Sequence, residues 1–203
     1  MSNFIGCKTD IEVCLFKTKT NISVKTGIAP SMHQELLENF IEFLKTLSLS
    51  EDTIQTILFY HYRDGTYDGS GGDPLDYTAF IEDHKERIQR ASEELSQPDI
   101  VKAIVYRCVI KGRESSRQEI DYLYYGDTTK GAFFSKYDLL EYAHLTGDRE
   151  FKGLHFGPFV YSRKVRYSKG NHAYCEYSQI IWPHIKTDLK FIYDIVHNNV
   201  KTD

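Results

Sequence analysis

The spacing of apolar residues changes at Pro98, and this change restricts the fold more than any other feature of the sequence. Before Pro98, apolar residues recur every three or four positions, which predicts helices. After Pro98, short apolar runs rich in β-branched and aromatic residues predict strands. Helices first and strands second, rather than a regular alternation of the two, indicate an α+β fold with a mostly antiparallel sheet or pair of sheets.

A β-hairpin is predicted before the helices. Ile11, Val13 and Leu15 alternate with polar neighbours, and Ile22 and Val24 do the same after a polar stretch. No internal repeat and no linker interrupts the chain, so we expect residues 1–203 to form a single domain.

Three helices are predicted in the first half of the chain. The first begins at Pro30, the second has a capping box of Ser48 and Glu51, and the third begins at Asp73 and continues to Pro98. In the second half, strands are predicted at residues 100–110, 120–126, 131–137, 156–167, 173–182 and 189–196, with one helix over 138–145.

Composition excludes several classes of protein. The 29 acidic and 25 basic residues give a net charge of −4, which argues against a general nucleic-acid binder. The longest apolar stretches are about five residues, far below the roughly 20 that span a bilayer. No signal peptide is visible, so we expect a cytoplasmic location, in its own cell or a host cell, and no membrane partner.

Cysteines and acidic residues give no sign of a metal site. The cysteines at positions 7, 14, 108 and 175 lack CxxC spacing, which predicts free thiols. The acidic run over residues 73–86 has helical spacing and is typical of a solvated face. The 15 tyrosines are typical of ligand clefts, of interfaces and of small β-rich cores.

Three short motifs follow one another in a distinctive order. Tyr106-Arg107 ends an apolar run, Phe134-Ser135 lies in a second one, and the segment 174–183, YCEYSQIIWP, leads into a third that ends at a proline. This order, over roughly residues 48–185, resembles the mono-ADP-ribosyltransferases of the Arg–Ser–Glu class, including the bacterial toxin and phage-encoded effector branches. In that family a strand ends in Tyr-Arg-Gly, a Ser-Thr-Ser strand follows, and a Glu-x-Glu pair precedes an apolar strand.

The sequence departs from the family pattern at each motif. Cys108 follows Arg107 where the family has glycine, and Lys136 follows Ser135 where the family has threonine. Gln179 occupies the place of the catalytic glutamate, and the nearest carboxylate is Glu176, three positions earlier. Because a strand alternates faces, a bulge is required if Glu176 is to replace Gln179 in a cleft.

The resemblance implies a fold, a substrate and a set of roles. A hairpin and a helical layer would pack on two small antiparallel sheets that form a cleft for NAD⁺, and Arg107 would face Ser135 across it. A guanidinium grips the pyrophosphate, and a carboxylate stabilises the cation that develops on the ribose. The residues concerned are Tyr106, Arg107, Phe134, Ser135, Tyr174, Glu176, Tyr177 and Gln179.

Two alternatives to an active enzyme stay open. The resemblance implies transfer of ADP-ribose from NAD⁺ to a side chain of a protein acceptor. Gln179 favours instead a catalytically silent domain of the same fold, because an amide cannot offset a developing positive charge. The third interpretation is an unrelated α+β binding or inhibitory module that acts through a tyrosine-rich surface.

Overall fold

The computed structural model describes residues 8–112, 118–147, 153–164 and 177–199. Within these ranges the strands are β1 (Ile11–Leu15), β2 (Thr18–Lys25), β3 (Ser31–Leu36), β4 (Tyr122–Gly126), β5 (Gly131–Ser135), β6 (His155–Phe156), β7 (Phe159–Lys164) and β8 (Tyr177–Ile181). The helices are α1 (Leu37–Lys45), α2 (Glu51–Tyr62), α3 (Tyr77–Asp83), α4 (Lys85–Leu95), α5 (Pro98–Ile104), α6 (Lys136–Tyr142) and α7 (Ile185–Asn199). A π-helical segment, Val105–Lys111, continues α5, and a 3₁₀ turn, Ala143–Leu145, follows α6.

The strands form two sheets of four, which confirms the predicted α+β class. Sheet A has the order β1-β2-β4-β5, and sheet B has the order β3-β8-β7-β6. Sheet B is antiparallel throughout. The sequence predicts mostly antiparallel sheets, and in sheet A the pairs β1–β2 and β4–β5 are antiparallel, whereas β2 and β4 run parallel. The chain between them is long and contains helices, as a parallel pair requires.

The helices and one face of each sheet share a single apolar core. The largest fully buried side chains come from α1, α3, sheet B and the segment that follows it, and include Phe40, Phe80, Phe156, Phe159, Tyr161 and Trp182. Leu123 and Phe134 add the inner face of sheet A to the same core. None of the helices in the described ranges combines the length and the apolar character needed to cross a membrane.

Residues 31–36 form a strand, although the sequence predicts the start of a helix there. The segment pairs with β8, and its register shifts between Ser31 and His33. This irregularity puts Met32 and His33 inside together, so the segment lacks the alternation that marks a strand. The first helix therefore begins at Leu37.

The second and third predicted helices begin later than expected. Ser50, rather than Ser48, caps α2, because its hydroxyl accepts a hydrogen bond from the Thr53 amide. Asp76, rather than Asp73, caps the next helix. The single helix predicted up to Pro98 is interrupted at His84, which separates α3 from α4.

Two predicted strands, at 100–110 and 189–196, are helical. Pro98 occupies the first turn of α5, a position that suits its fixed backbone angle and missing N–H. The buried residues that follow recur every three or four positions: Val101, Ile104, Val105, Cys108 and Val109. In α7 the buried side chains of Ile185, Leu189 and Ile192 show the same spacing. Helical packing thus overrides the strand preference of their β-branched side chains.

Candidate functional site

Arg107 lies in the π-helical segment, not at the end of a strand, and its side chain is buried. Its Nη2 donates to Oε2 of Glu35 over 2.8 Å, and its Nε donates to Oε1 over 3.3 Å. The guanidinium carbon also lies 5.4 Å from the centre of the Phe43 ring. The planar fork that would grip a pyrophosphate is therefore engaged with a carboxylate of the same chain.

Glu35 connects Arg107 to His33 in a buried ionic cluster made of these three residues. Nε2 of His33 donates to Oε1 of Glu35 over 2.8 Å. Burial favours the neutral carboxyl, but hydrogen bonds from His33 and Arg107 outweigh it and lower the pKa of Glu35. The pKa of His33 is also lowered, because the effect of burial exceeds the opposite effect of the Glu35 carboxylate. The cluster thus consists of one paired guanidinium, one carboxylate and one neutral imidazole.

Cys108 and Lys8 lie beside the buried ionic cluster. Burial raises the pKa of the Cys108 thiol to about 12, so the thiol stays protonated and is a poor nucleophile. Burial also lowers the pKa of Lys8 to about 8, and its ammonium group donates to the carbonyl of Met32. Cys108 thus places a buried side chain directly after Arg107, where the mono-ADP-ribosyltransferases have glycine.

Ser135 ends β5 and caps α6. Its Oγ accepts from the Asp138 amide over 3.1 Å and donates to Oδ2 of Asp138 over 2.7 Å. The Tyr106 hydroxyl donates to Oε1 of Glu119 over 2.6 Å, and Lys136 contacts Oε2 of the same carboxylate at 3.3 Å. These contacts connect the π-helical segment to the start of α6, while the Arg107 side chain binds sheet B instead.

Gln179 and Arg107 lie on opposite faces of sheet B. Gln179 is opposite Gln34 on β3, whereas its neighbour Ser178 is opposite Glu35. Side chains alternate along a strand, so Gln179 points away from the buried side that holds Glu35 and Arg107. Tyr177 shares the face of Gln179.

Of the remaining predicted residues, Phe134 is among those that the structure describes. The Phe134 ring is buried under sheet A and so lines no exposed surface. Glu176 and Tyr174 lie outside the described residues. The predicted site residues that the structure describes do not lie together on one face of either sheet.

A different surface stands out on sheet A. Ser23, Leu123 and Phe134 are opposite one another on its buried inner face. By alternation, the other face holds Ile11, Val13, Leu15, Thr18, Thr20, Ile22, Val24, Tyr122, Tyr124, Gly126, Gly131, Phe133 and Ser135. We call these residues the outer face of sheet A. It contains no charged residue, although it is the exposed side of the sheet.

Aromatic rings lie side by side on this outer face. The Phe133 ring is 58% exposed, and its centre lies 4.9 Å from that of Tyr124 and 6.4 Å from that of Tyr122. The Tyr124 hydroxyl donates to the carbonyl of Asp127 over 2.6 Å. A Cβ at position 131 would overlap the Tyr124 ring, so glycine lets this ring lie across β5. The Tyr124 ring is thus held in place by this hydrogen bond and by the close approach of Gly131.

The β1–β2 hairpin is exposed on both sides, and its apolar residues lie on the outer face. An exposed sheet face normally carries the polar residues of each strand. Here Glu12 and Lys19, joined by an ion pair of 3.1 Å, lie on the side of the buried Ser23. The apolar side of the hairpin faces outward, with Ile11 and Leu15 exposed.

The sequence analysis missed both the buried ionic cluster and the apolar outer face of sheet A. His33 and Glu35 carried no signal because residues 31–36 were predicted to start a helix. The alternation at Ile11, Val13 and Leu15 was visible, but a pattern of period two does not tell which face of a strand is covered.

Comparison with known proteins adds no further constraint on this site. No protein-family model matches the chain, and no curated protein matches it either. Within the described ranges, no three His, Cys, Asp or Glu side chains are grouped so as to hold a metal ion.

Proposed function

We propose that this protein is a protein-binding module whose contact surface is the outer face of sheet A. The observation that carries the proposal is the absence of charge from that face, where Phe133 projects into solvent between two tyrosines. The largest apolar patch on a typical soluble protein covers about 300–600 Å² and often marks an interaction site. The proposal develops the third interpretation of the sequence, a module that acts through a tyrosine-rich surface.

The chemistry of the face restricts its partner. A surface without Lys or Arg offers no attraction to the phosphates of a nucleic acid. Tyrosine and phenylalanine provide large contact areas and are enriched at the buried core of protein interfaces. Complete burial of one such ring contributes roughly 1.5–3 kcal/mol. The partner is therefore a protein that presents apolar side chains.

Arg107 has a structural role in this proposal. Its fork joins the π-helical segment to Glu35 of β3, so the motif residue that the family uses for NAD⁺ helps to stabilise the fold. The expectation of NAD⁺ binding stays open to a direct experiment. Saturable binding in a calorimetric titration with NAD⁺, lost in a folded Arg107→Lys variant, would favour the enzyme instead. The proposal expects no NAD⁺ binding by either protein.

Site-specific photo-crosslinking tests the proposed surface. A benzophenone side chain at position 133 is compared with the same group at position 191, because Phe191 is exposed on α7 and is not part of the outer face of sheet A. We expect a discrete adduct from position 133 alone, in extracts of the cells that make the protein. Unmodified protein should compete for the adduct, and the Phe133→Lys variant should compete at least tenfold less well. Equal adducts from both positions, or equal competition by Phe133→Lys, would contradict the proposal.

A further inference from the structure

Among the strands that the structure describes, β1 lies at the end of sheet A and pairs only with β2, so its outer edge is open. The hairpin turn consists of two residues, Phe16 and Lys17, so Leu15 and Thr18 form a hydrogen-bonded pair. Along β1, Ile11, Val13 and Leu15 therefore bond to β2. The N–H and C=O groups of Glu12 and Cys14 point away from the sheet.

This edge is only weakly protected against pairing with another strand. Natural edge strands carry prolines, lysines or inward-pointing charges that block such pairing. β1 has the sequence IEVCL, and its one charged residue, Glu12, points to the inner side of the sheet, where an ion pair with Lys19 of β2 neutralises it. Among the described residues, no hydrogen bond from another element reaches the outward backbone groups of Glu12 and Cys14. The edge is thus able to accept a strand.

We propose that β1 pairs antiparallel with β1 of a second copy of the chain, with Val13 opposite Val13 of that copy. In a twofold-symmetric antiparallel pair, directly opposite side chains point to the same side of the sheet. The outer faces of the two copies are therefore aligned only if one residue lies opposite its own equivalent at the twofold axis. Centring on Val13 places Glu12 opposite Cys14 of the second copy, which joins the outward-pointing groups of both strands. Ile11 is then opposite Leu15, an apolar pair on the outer face.

The neighbouring registers are less favourable. Centring on Glu12 would place two carboxylates directly opposite each other, which is destabilising. Centring on Cys14 would place Glu12 opposite Phe16, where the strand has already turned. The Val13 register puts no like charges opposite each other, so the strand is complementary to itself.

Pairing at this edge also joins the two outer faces. Four strands of about five residues, spaced about 4.8 Å apart with a rise of about 3.3 Å per residue, cover roughly 300 Å². A typical stable interface buries about 800 Å² on each partner. Two joined faces come much closer to that area than one. This last argument rests on the proposed function, whereas the open edge and the register do not.

Sedimentation equilibrium tests the pairing. In Cys14→Pro the lost N–H belongs to the open edge, so the hairpin keeps its own hydrogen bonds while the edge is blocked. Cys14→Ala is the matched control. Under reducing conditions we expect the native protein and Cys14→Ala to dimerise, and the dissociation constant of Cys14→Pro to rise at least tenfold with an unchanged circular dichroism spectrum. A monomeric native protein, or equal association of the two variants, would overturn the inference.

A disulfide tests the register. In a Cys14→Ala background, Val13→Cys places two thiols in a closely spaced pair across the dimer axis, whereas Glu12→Cys places them about two residues out of step. We expect mild oxidation to link the copies at position 13 and not at position 12. The opposite result would exclude this register. If the copies do not associate but the adduct at position 133 persists, the dimer is wrong and the proposed function stands. If the copies associate but position 133 gives no discrete adduct, the proposed function is wrong and the dimer stands.

Discussion

At the scale of single residues, the structure depends on Glu35 and its two partners. Glu35 has one oxygen paired with Nη2 of Arg107, while the other accepts from His33. All three side chains are buried, so the pair is not screened by solvent. Such a pair adds little net stability over an apolar substitute, but the loss of one partner leaves the other charge buried and unpaired.

Glu35→Gln should therefore lower the free energy of unfolding by about 3–5 kcal/mol, since the Arg107 charge stays buried without its counterion. The double variant Glu35→Gln/Arg107→Met removes both charges and should recover most of that loss. Urea denaturation measures both values. If the single and double variants are equally destabilised, the uncompensated charge is not the cause.

His33 should make stability depend on pH. Burial lowers its pKa in the folded protein below the ordinary value of 6.5, so the unfolded chain binds a proton first as the pH falls. Stability is thus lost as the pH falls from about 6.5 through the lowered pKa. The lowered pKa of Glu35 adds a second loss below its ordinary value of 4.5.

His33→Gln keeps an N–H donor for Glu35 but does not titrate. The variant should show a shallower fall of the unfolding free energy between pH 7 and pH 5. His155, whose pKa burial also lowers, should account for part of the remaining slope. The loss below pH 4.5 should persist. An unchanged slope between pH 7 and pH 5 would show that His33 is not responsible.

At the scale of the element, the β1–β2 turn carries a local strain. Phe16 has a φ of 56°, in the left-handed region that favours glycine, and its side chain is fully exposed. A non-glycine residue in this region costs about 1–2 kcal/mol. Phe16→Gly should therefore stabilise the protein by about 1 kcal/mol after the added flexibility of the unfolded chain is counted.

Thermal unfolding compares Phe16→Gly with Lys17→Gly, which changes the neighbouring turn position where φ is not positive. We expect the melting temperature to rise for Phe16→Gly and to fall slightly for Lys17→Gly. A fall for Phe16→Gly would mean that the ring makes stabilising contacts in solution.

The elements differ in how far the sequence predicts them, for physical reasons. The β1–β2 hairpin follows from plain alternation, and β4, β5, β7 and β8 follow from short apolar and aromatic runs. β3 was missed because a register irregularity puts Met32 and His33 on the same side. The helix at 98–111 was missed although Pro98 and the spacing of the buried residues both indicate one.

The candidate site was harder to predict than the elements. Glu35 and Arg107 are 72 residues apart, so only the packing of β3 against the π-helical segment brings them together. The outer face of sheet A depends on which side of the hairpin the rest of the chain covers. That choice is made by tertiary packing, which alternation along one strand does not encode.

At the scale of the whole molecule, one apolar core holds the helices and the inner faces of both sheets together, and a second apolar surface lies outside it. In the proposed function, this second surface, the outer face of sheet A, serves binding and not the stability of the chain itself. Neighbouring residues of β5 separate the two roles, because Phe134 is 5% exposed and Phe133 is 58% exposed.

The free energies of unfolding of Phe133→Ser and Phe134→Ser test this separation of roles. Both are measured by urea denaturation in the Cys14→Pro background, so that association contributes nothing. Phe134→Ser should cost about 3–5 kcal/mol, the range for emptying a buried phenylalanine site. Phe133→Ser should cost less than about 1 kcal/mol, the range for a lost cross-strand pair. A cost for Phe133→Ser as large as that for Phe134→Ser would show that the outer face belongs to the core, and would contradict the account.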